Sequence, residues 1–163
     1  MVTADAVVSA VTDPELPMLT LADLGILRSV GEISGRVVVT ITPTYTACPA
    51  IETMRHDITH ALEQAGYPGA SVRTVLQPAW SSDWITAEGR RKLAEAGIAP
   101  PGAARSRAPG PVPLALVPFA GVVACPLCGS PATELVSEFG ATACRSLRRC
   151  TDCREPFEHV KEI

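Results

Sequence analysis

Residues 26–42 read Ile-Leu-Arg-Ser-Val-Gly-Glu-Ile-Ser-Gly-Arg-Val-Val-Val-Thr-Ile-Thr, and this stretch decides the fold. Two β-rich runs, Ile26 to Ile33 and Arg36 to Thr42, flank Ser34-Gly35, a pair suited to a tight hairpin turn. What surrounds the hairpin turns it into a mixed domain. After a loop from Pro43 to Pro49, apolar residues Ile51, Met54, Ile58 and Leu62 recur at helical spacing to about Ala65, and Gly66 is the natural stop. Ser71 to Leu76 reads as a third strand, Trp80 to Ile85 as irregular, and Thr86 as the cap of a helix running to Ala96 with Gly97 after it. Upstream, Thr3 caps a short helix through Ala10, and Asp13-Pro14-Glu15-Leu16-Pro17 breaks it, because proline removes a donor and restricts the residue before it. The order α-β-β-α-β plus a tail helix predicts a two-layer α+β domain over residues 1–97, with helices on one face of a small sheet.

The 163 residues are 47% apolar, enough for a packed core, but only 4% aromatic, so aliphatic side chains must fill it. Fourteen basic against seventeen acidic residues leave a net charge of −3, too mild for a nucleic-acid binder resting on global charge. The longest apolar run, Leu114 to Ala124, is too short for a bilayer and contains Pro118. The first basic residue is Arg28, so the N-terminus lacks the positive start of a signal peptide. These features predict a cytoplasmic protein with neither membrane nor nucleic acid as partner. In a reducing compartment six cysteines need a reason other than disulfides. Ala99 to Pro118 holds six prolines and no helical or strand period, so residues 98–121 read as a linker and 122–163 as a second, small domain.

That tail carries Cys125-Pro-Leu-Cys128 and Cys150-Thr-Asp-Cys153, separated by 21 residues. Two residues between paired cysteines suit a knuckle that turns both sulfurs toward one tetrahedral metal. A tail this short cannot bury enough surface to fold alone, so a structural metal is expected as its staple. Zinc is the commonest occupant, and iron fits the same sulfur tetrahedron. Loose dithiols are the alternative, but the βαβ context of a thioredoxin-like site is missing. The tail is thus predicted to be a β zinc ribbon held by Cys125, Cys128, Cys150 and Cys153. Cys144 lies outside both knuckles and reads either as an extra, labile thiol or as a small apolar strand residue. With five basic and six acidic residues, the tail offers no sustained positive patch for phosphates.

In the first domain Cys48 precedes Pro49, which suits the first helical position, so the thiol is expected near a helix N-cap where the dipole favours a thiolate. It reads equally as a buried cysteine sealing the loop. Asp13 and Glu15 sit on a stiff proline-bounded loop and could be hard ligands or caps. His56 and His60 are four apart, but Asp57 stands where a metallohydrolase places its glutamate, and both histidines lie opposite the apolar helix face. Trp80 and Trp84 read as a partner-contact pair or as core packing. No phosphate loop, nucleophile elbow or Ser/His/Asp arrangement is present, so no intrinsic catalysis is expected.

Asp13-Pro-Glu-Leu-Pro, Leu21-Ala-Asp-Leu-Gly25 and Pro43-Thr-Tyr-Thr-Ala-Cys48-Pro-Ala resemble the metal–sulfur cluster assembly domain family. Pro78-Ala-Trp-Ser-Ser-Asp-Trp84, Glu88-Gly-Arg-Arg-Lys-Leu93, Gly97-Ile-Ala-Pro-Pro101 and the ending Cys150-Thr-Asp-Cys153-Arg-Glu-Pro-Phe157 look like its PaaD (or PaaJ) branch, encoded with the phenylacetyl-CoA ring epoxidase. The resemblance implies an assembly domain followed by a zinc ribbon, and an accessory role in aerobic phenylacetate breakdown. It implies help in maturing iron or iron–sulfur centres of the oxygenase or reductase, with Cys48 the best candidate for transient iron or cluster handling and Asp13 and Glu15 matching the family motif. The alternative is a structural adaptor in the same complex, using the tryptophans and the ribbon as contact surfaces.

Overall fold

β1 (Leu27–Ile33) and β2 (Arg36–Ile41) pair antiparallel, as the quoted stretch predicts. Ser34 and Gly35 take φ values of 51° and 76°, the two left-handed positions of a turn whose twist matches the strands. A bulge between Leu27 and Ser29 leaves Arg28 as the extra residue beside the Ser29–Thr40 pair. This computed structural model describes residues 2–45, 48–104 and 122–163. The described residues divide into two units, Met1–Ala96 and Gly97–Ile163.

In the first unit α1 (Ala4–Ser9) starts where Thr3 Oγ1 accepts the Ala6 N–H at 3.3 Å. α2 (Ile51–Gln64) follows β2, and β3 (Ser71–Thr74) then joins β2 in parallel, giving a βαβ crossover. Met54, Ile58 and Leu62, the periodic apolar positions of α2, are buried, as are Val39 and Ile41 of β2 and Val72 of β3. Each such side chain contributes about 1.5–3 kcal/mol on burial. A 3₁₀ turn (Ser82–Trp84) leads to α3 (Ala87–Glu95), where Thr86 Oγ1 accepts the Gly89 N–H at 2.9 Å and Leu93 is buried. Gly25 is required at its position: its φ is +66°, and a Cβ there would lie 2.6 Å from both the Trp84 Cβ and the Trp84 carbonyl oxygen.

The second unit is an antiparallel sheet in the order β4 (Thr133–Ser137), β5 (Arg145–Cys150), β6 (Pro156–Val160). Its hydrophobic cluster is Ala99, Val123, Cys125, Cys150 and Phe157, so two of its five members are knuckle cysteines. Here the structure departs from the sequence reading, which starts a linker at residue 98. The Ala99 N–H donates to Glu158 O at 2.8 Å, the Val160 N–H donates to Ala99 O at 3.1 Å, and Glu162 accepts the Gly102 N–H at 3.0 Å. Backbone pairing with β6 thus gives this early proline-rich stretch its partners, a long-range effect that local composition does not encode. The remainder of the expected linker, 105–121, lies outside the described residues. Among the described residues no helix is long and apolar enough to cross a membrane.

Candidate metal centre and thiol site

The four sulfurs of Cys125, Cys128, Cys150 and Cys153 lie within 4.8 Å of one another. Cys125 to Cys153 is 3.8 Å and Cys128 to Cys150 is 3.6 Å. A metal about 2.3 Å from four sulfurs in a tetrahedron sets them ~3.8 Å apart, so these two pairs already stand at the spacing a zinc-sized ion needs. Two matching knuckles create this geometry. The Cys125 N–H donates to Ser130 O and the Cys150 N–H to Glu155 O, each five residues on, at 2.9 and 3.0 Å. The residue after each second cysteine is left-handed: Gly129 at φ 75° and Arg154 at φ 65°. Backbone N–H groups then face the sulfurs. That of Cys153 foremost, and that of Asp152, hold the Cys150 thiol down at about 7 against the effect of burial. Such donors favour the thiolate that a metal needs.

Cys144 is outside this cluster. It is half-buried, 3.0 Å from Thr142 Oγ1, and its carbonyl accepts the Lys161 N–H at 3.0 Å. Among the described residues the tetrad is the one group of three or more potential metal ligands. His56 and His60 are both exposed, as their helical phase requires, with rings stacked 6.1 Å apart.

Cys48 sits between the end of β2 and the start of α2, the end of a βαβ unit where loops gather functional groups. One sequence expectation changes here. The helix begins at Ile51 with Ala50 as N-cap, so Pro49 precedes the helix and Cys48 stands two residues before the cap. The cause is a separate turn: the Ile51 N–H donates to Cys48 O at 3.3 Å and the Cys48 N–H to Tyr45 O at 3.2 Å. The thiol residue is also only 8% exposed, which of the two local readings is the burial expected of a cysteine sealing the loop. At the same sheet end two buried hydroxyls, Thr42 Oγ1 and Thr74 Oγ1, make no hydrogen bond among the described residues. The sequence offered no signal for them, since Thr42 read simply as a strand end and Thr74 as a residue within the Ser71 to Leu76 strand. Ala50 gives α2 no side-chain cap, and the Cys48 carbonyl takes the first helical N–H in its place.

Asp13 is buried, and its Oδ1 accepts the N–H groups of Glu15 and Leu16 at 2.9 and 2.8 Å, the capping geometry weighed against a ligand role. Glu15 is half-buried on the same turn. The tryptophans separate. Trp80 is 5% exposed and its Nε1–H donates to Leu24 O at 2.9 Å, so it fills the core and is no partner anchor. Burial of an indole in an aromatic-poor unit outweighs its use at a surface. Trp84 is half-exposed, with the Arg28 guanidinium 3.7 Å over its ring.

Comparison with known proteins agrees with this division. Residues 4–76 match the family described as iron-sulfur cluster assembly protein, and residues 112–161 match the PaaD zinc beta ribbon domain. A protein of Escherichia coli (strain K12), named as one of the subunits of 1,2-phenylacetyl-CoA epoxidase, is 42% identical over 158 residues, covering 97% of this chain and 90% of the relative. An Fe-S protein maturation auxiliary factor of Porphyromonas gingivalis (strain ATCC BAA-308 / W83) is 32% identical over 85 residues, covering 51% of this chain and 80% of the relative. The crystal structure of a DUF59 domain from Bacillus anthracis superposes with a TM-score of 0.51 at 26% identity, covering 55% of this chain and 87% of that one. An assembly-type α+β domain and a PaaD ribbon in one polypeptide, similar to one relative over nearly its whole length, identify the chain as a member of the PaaD family of phenylacetyl-CoA epoxidase subunits.

Proposed function

We propose that the chain is an accessory subunit that helps assemble iron or iron–sulfur centres in the oxygenase or reductase of a phenylacetyl-CoA epoxidase, and that it performs no oxygenation itself. The observation that carries this reading is the coexistence of two sulfur arrangements: a closed tetrad and a single cysteine at the strand ends of an assembly-type domain. In this reading zinc occupies the tetrad and has a structural role, because four thiolates leave no open coordination position. Iron or a cluster is cargo, met transiently at Cys48 in the segment between β2 and α2, with Asp13 and Glu15 on a capped turn of the same domain. Free thiols accord with work in the cytoplasm. Handing over a soft ion needs a ligand that both binds and releases, and a lone thiolate does this where a closed tetrad does not. Cys48 is buried, so exchange requires its thiol to become accessible.

The same burial favours a second reading, a structural adaptor in the complex. One experiment separates the two. Cells producing Cys48→Ser are compared with wild type for iron content of the purified oxygenase and reductase. The assembly reading expects normal folding and tail metal but reduced iron in a partner. Equal iron loading with wild type, Cys48→Ser and a deletion of the subunit, with the subunit still co-purifying at fixed ratio, would establish the adaptor and overturn assembly.

A further inference from the structure

We propose that the open face of the β1–β2–β3 sheet docks a protein partner through carboxylates on that partner; this rests on the accessory-subunit reading above. Residues 1–97 carry seven basic and eleven acidic groups, so this domain is net −4. Its cations are nonetheless sorted. Arg55 pairs with Glu52, Arg91 with Glu88 and Glu95, Lys92 with Asp23, and Arg90 donates to Ser82 O. The remaining three, Arg28, Arg36 and Arg73, are exposed, have no carboxylate partner among the described residues, and all belong to the sheet.

Strand alternation puts them on one side. In β2 Val39 and Ile41 are buried, so Arg36, Val38 and Thr40 point the other way. Arg73 pairs with Thr40 across the parallel ladder, and the bulge sets Arg28 beside Thr40 on the antiparallel side. Arg28 and Arg73 therefore flank Thr40 on neighbouring strands, roughly 10 Å apart, and Arg36 lies roughly 13 Å further along. The one acidic residue in these strands, Glu32, pairs with Val37, on the opposite face from Arg36. At Gly31, the partner of Val38, the face is open: a Cβ built there meets nothing within 4 Å. Trp84 supports the Arg28 guanidinium from its ring face, which limits the entropy lost when that arginine engages a partner.

Arginine presents a planar fork that matches a carboxylate with two parallel hydrogen bonds. Three such forks, spaced across a flat surface with hydroxyls of Ser29, Thr40 and Ser71 between them, suit a partner element bearing several Asp or Glu side chains. A nucleic acid suits it less, because phosphate binding draws on a sustained positive field and this domain is anionic.

The test uses the full-length chain and the other epoxidase subunits from the same source. Wild type, R28E/R36E/R73E, the milder R36Q/R73Q and the off-face control R55E are compared for retention of the partner subunits at low and high salt, about 50 and about 300 mM, a change that shortens the reach of exposed charge more than twofold. Far-UV circular dichroism checks that each variant is folded. The proposal expects wild-type retention to weaken with salt, the triple variant to lose roughly tenfold or more in affinity, R36Q/R73Q to lose less, and R55E to match wild type. Wild type and both arginine variants retained alike would overturn the docking face while leaving the accessory reading intact. Wild type that holds no partner subunit at either salt would overturn both. Variants that hold the subunits normally but lose binding to a transfer RNA probe would reassign the face to phosphate and overturn the proposal.

Discussion

Removing the metal from the tetrad, or replacing Cys150 with Ser, should unfold the second unit and leave the first standing. Apart from Cys125 and Cys150, the hydrophobic cluster of that unit consists of Ala99, Val123 and Phe157. Full burial of the two larger of these contributes about 1.5–3 kcal/mol each. Structural zinc sites contribute about 10–16 kcal/mol of apparent binding free energy at neutral pH, which is folding free energy when no site exists in the unfolded chain. Loss of the metal therefore matches or exceeds the whole stability of an ordinary domain, about 5–15 kcal/mol. Cys150 is the most telling ligand because it is fully buried, ends β5 and receives the knuckle N–H groups. The assay is a ¹H–¹⁵N spectrum with metal analysis, for wild type before and after a strong chelator and for Cys150→Ser. Amide signals of β5 and β6 should collapse to unfolded positions, while those of β2 and α2 stay dispersed. A chelated protein that keeps dispersed β5 and β6 signals, or a Cys150→Ser chain that still carries one equivalent of metal, would refute the reasoning.

Gly25→Ala should destabilise the first unit by about 2–4 kcal/mol, from the positive φ together with the overlap on Trp84, read as a drop in thermal midpoint. Trp80→Phe leaves the Leu24 carbonyl without its donor and should cost about 1–3 kcal/mol in chemical denaturation, whereas Trp84→Ala should leave the fold intact. Burial acts to raise the Asp23 carboxyl, but the Lys92 ammonium at 2.7 Å, and then the Thr20 N–H and hydroxyl, hold it below the usual carboxylate range. Its stabilisation is complete above the unfolded carboxylate value of about 4 and is lost as pH falls through the lower folded one. Asp23→Asn should accordingly flatten the acid limb of the stability profile, and an unchanged limb would count against this role.

Much of the fold was legible because its signals are local. Thr3 and Thr86 cap the helices they were assigned, Ser34-Gly35 makes the turn, and the Ile51/Met54/Ile58/Leu62 spacing names the face on which Met54, Ile58 and Leu62 are buried. The tetrad was legible because paired cysteines encode their knuckles in four or five residues. The rest depended on contacts far apart in sequence. Nothing near Trp80 says that its indole meets Leu24, 56 residues upstream, while Trp84 lies against Arg28. A bulge like that at Arg28 has no sequence mark, yet it sets which side of the sheet carries charge. Cys48 was placed by the preference of Pro49 for a helix start, and an intervening turn moved it.

The attachment of Ala99 to His159 moves the frontier of the ribbon upstream of its first cysteine knuckle. Gly97, Ala99 and Gly102 belong to the second unit, and the Ala99 backbone occupies an edge of β6 that would otherwise lie bare. A fragment cut to begin at Val122 would forfeit those bonds, so an autonomous ribbon has to be excised from Gly97 onward.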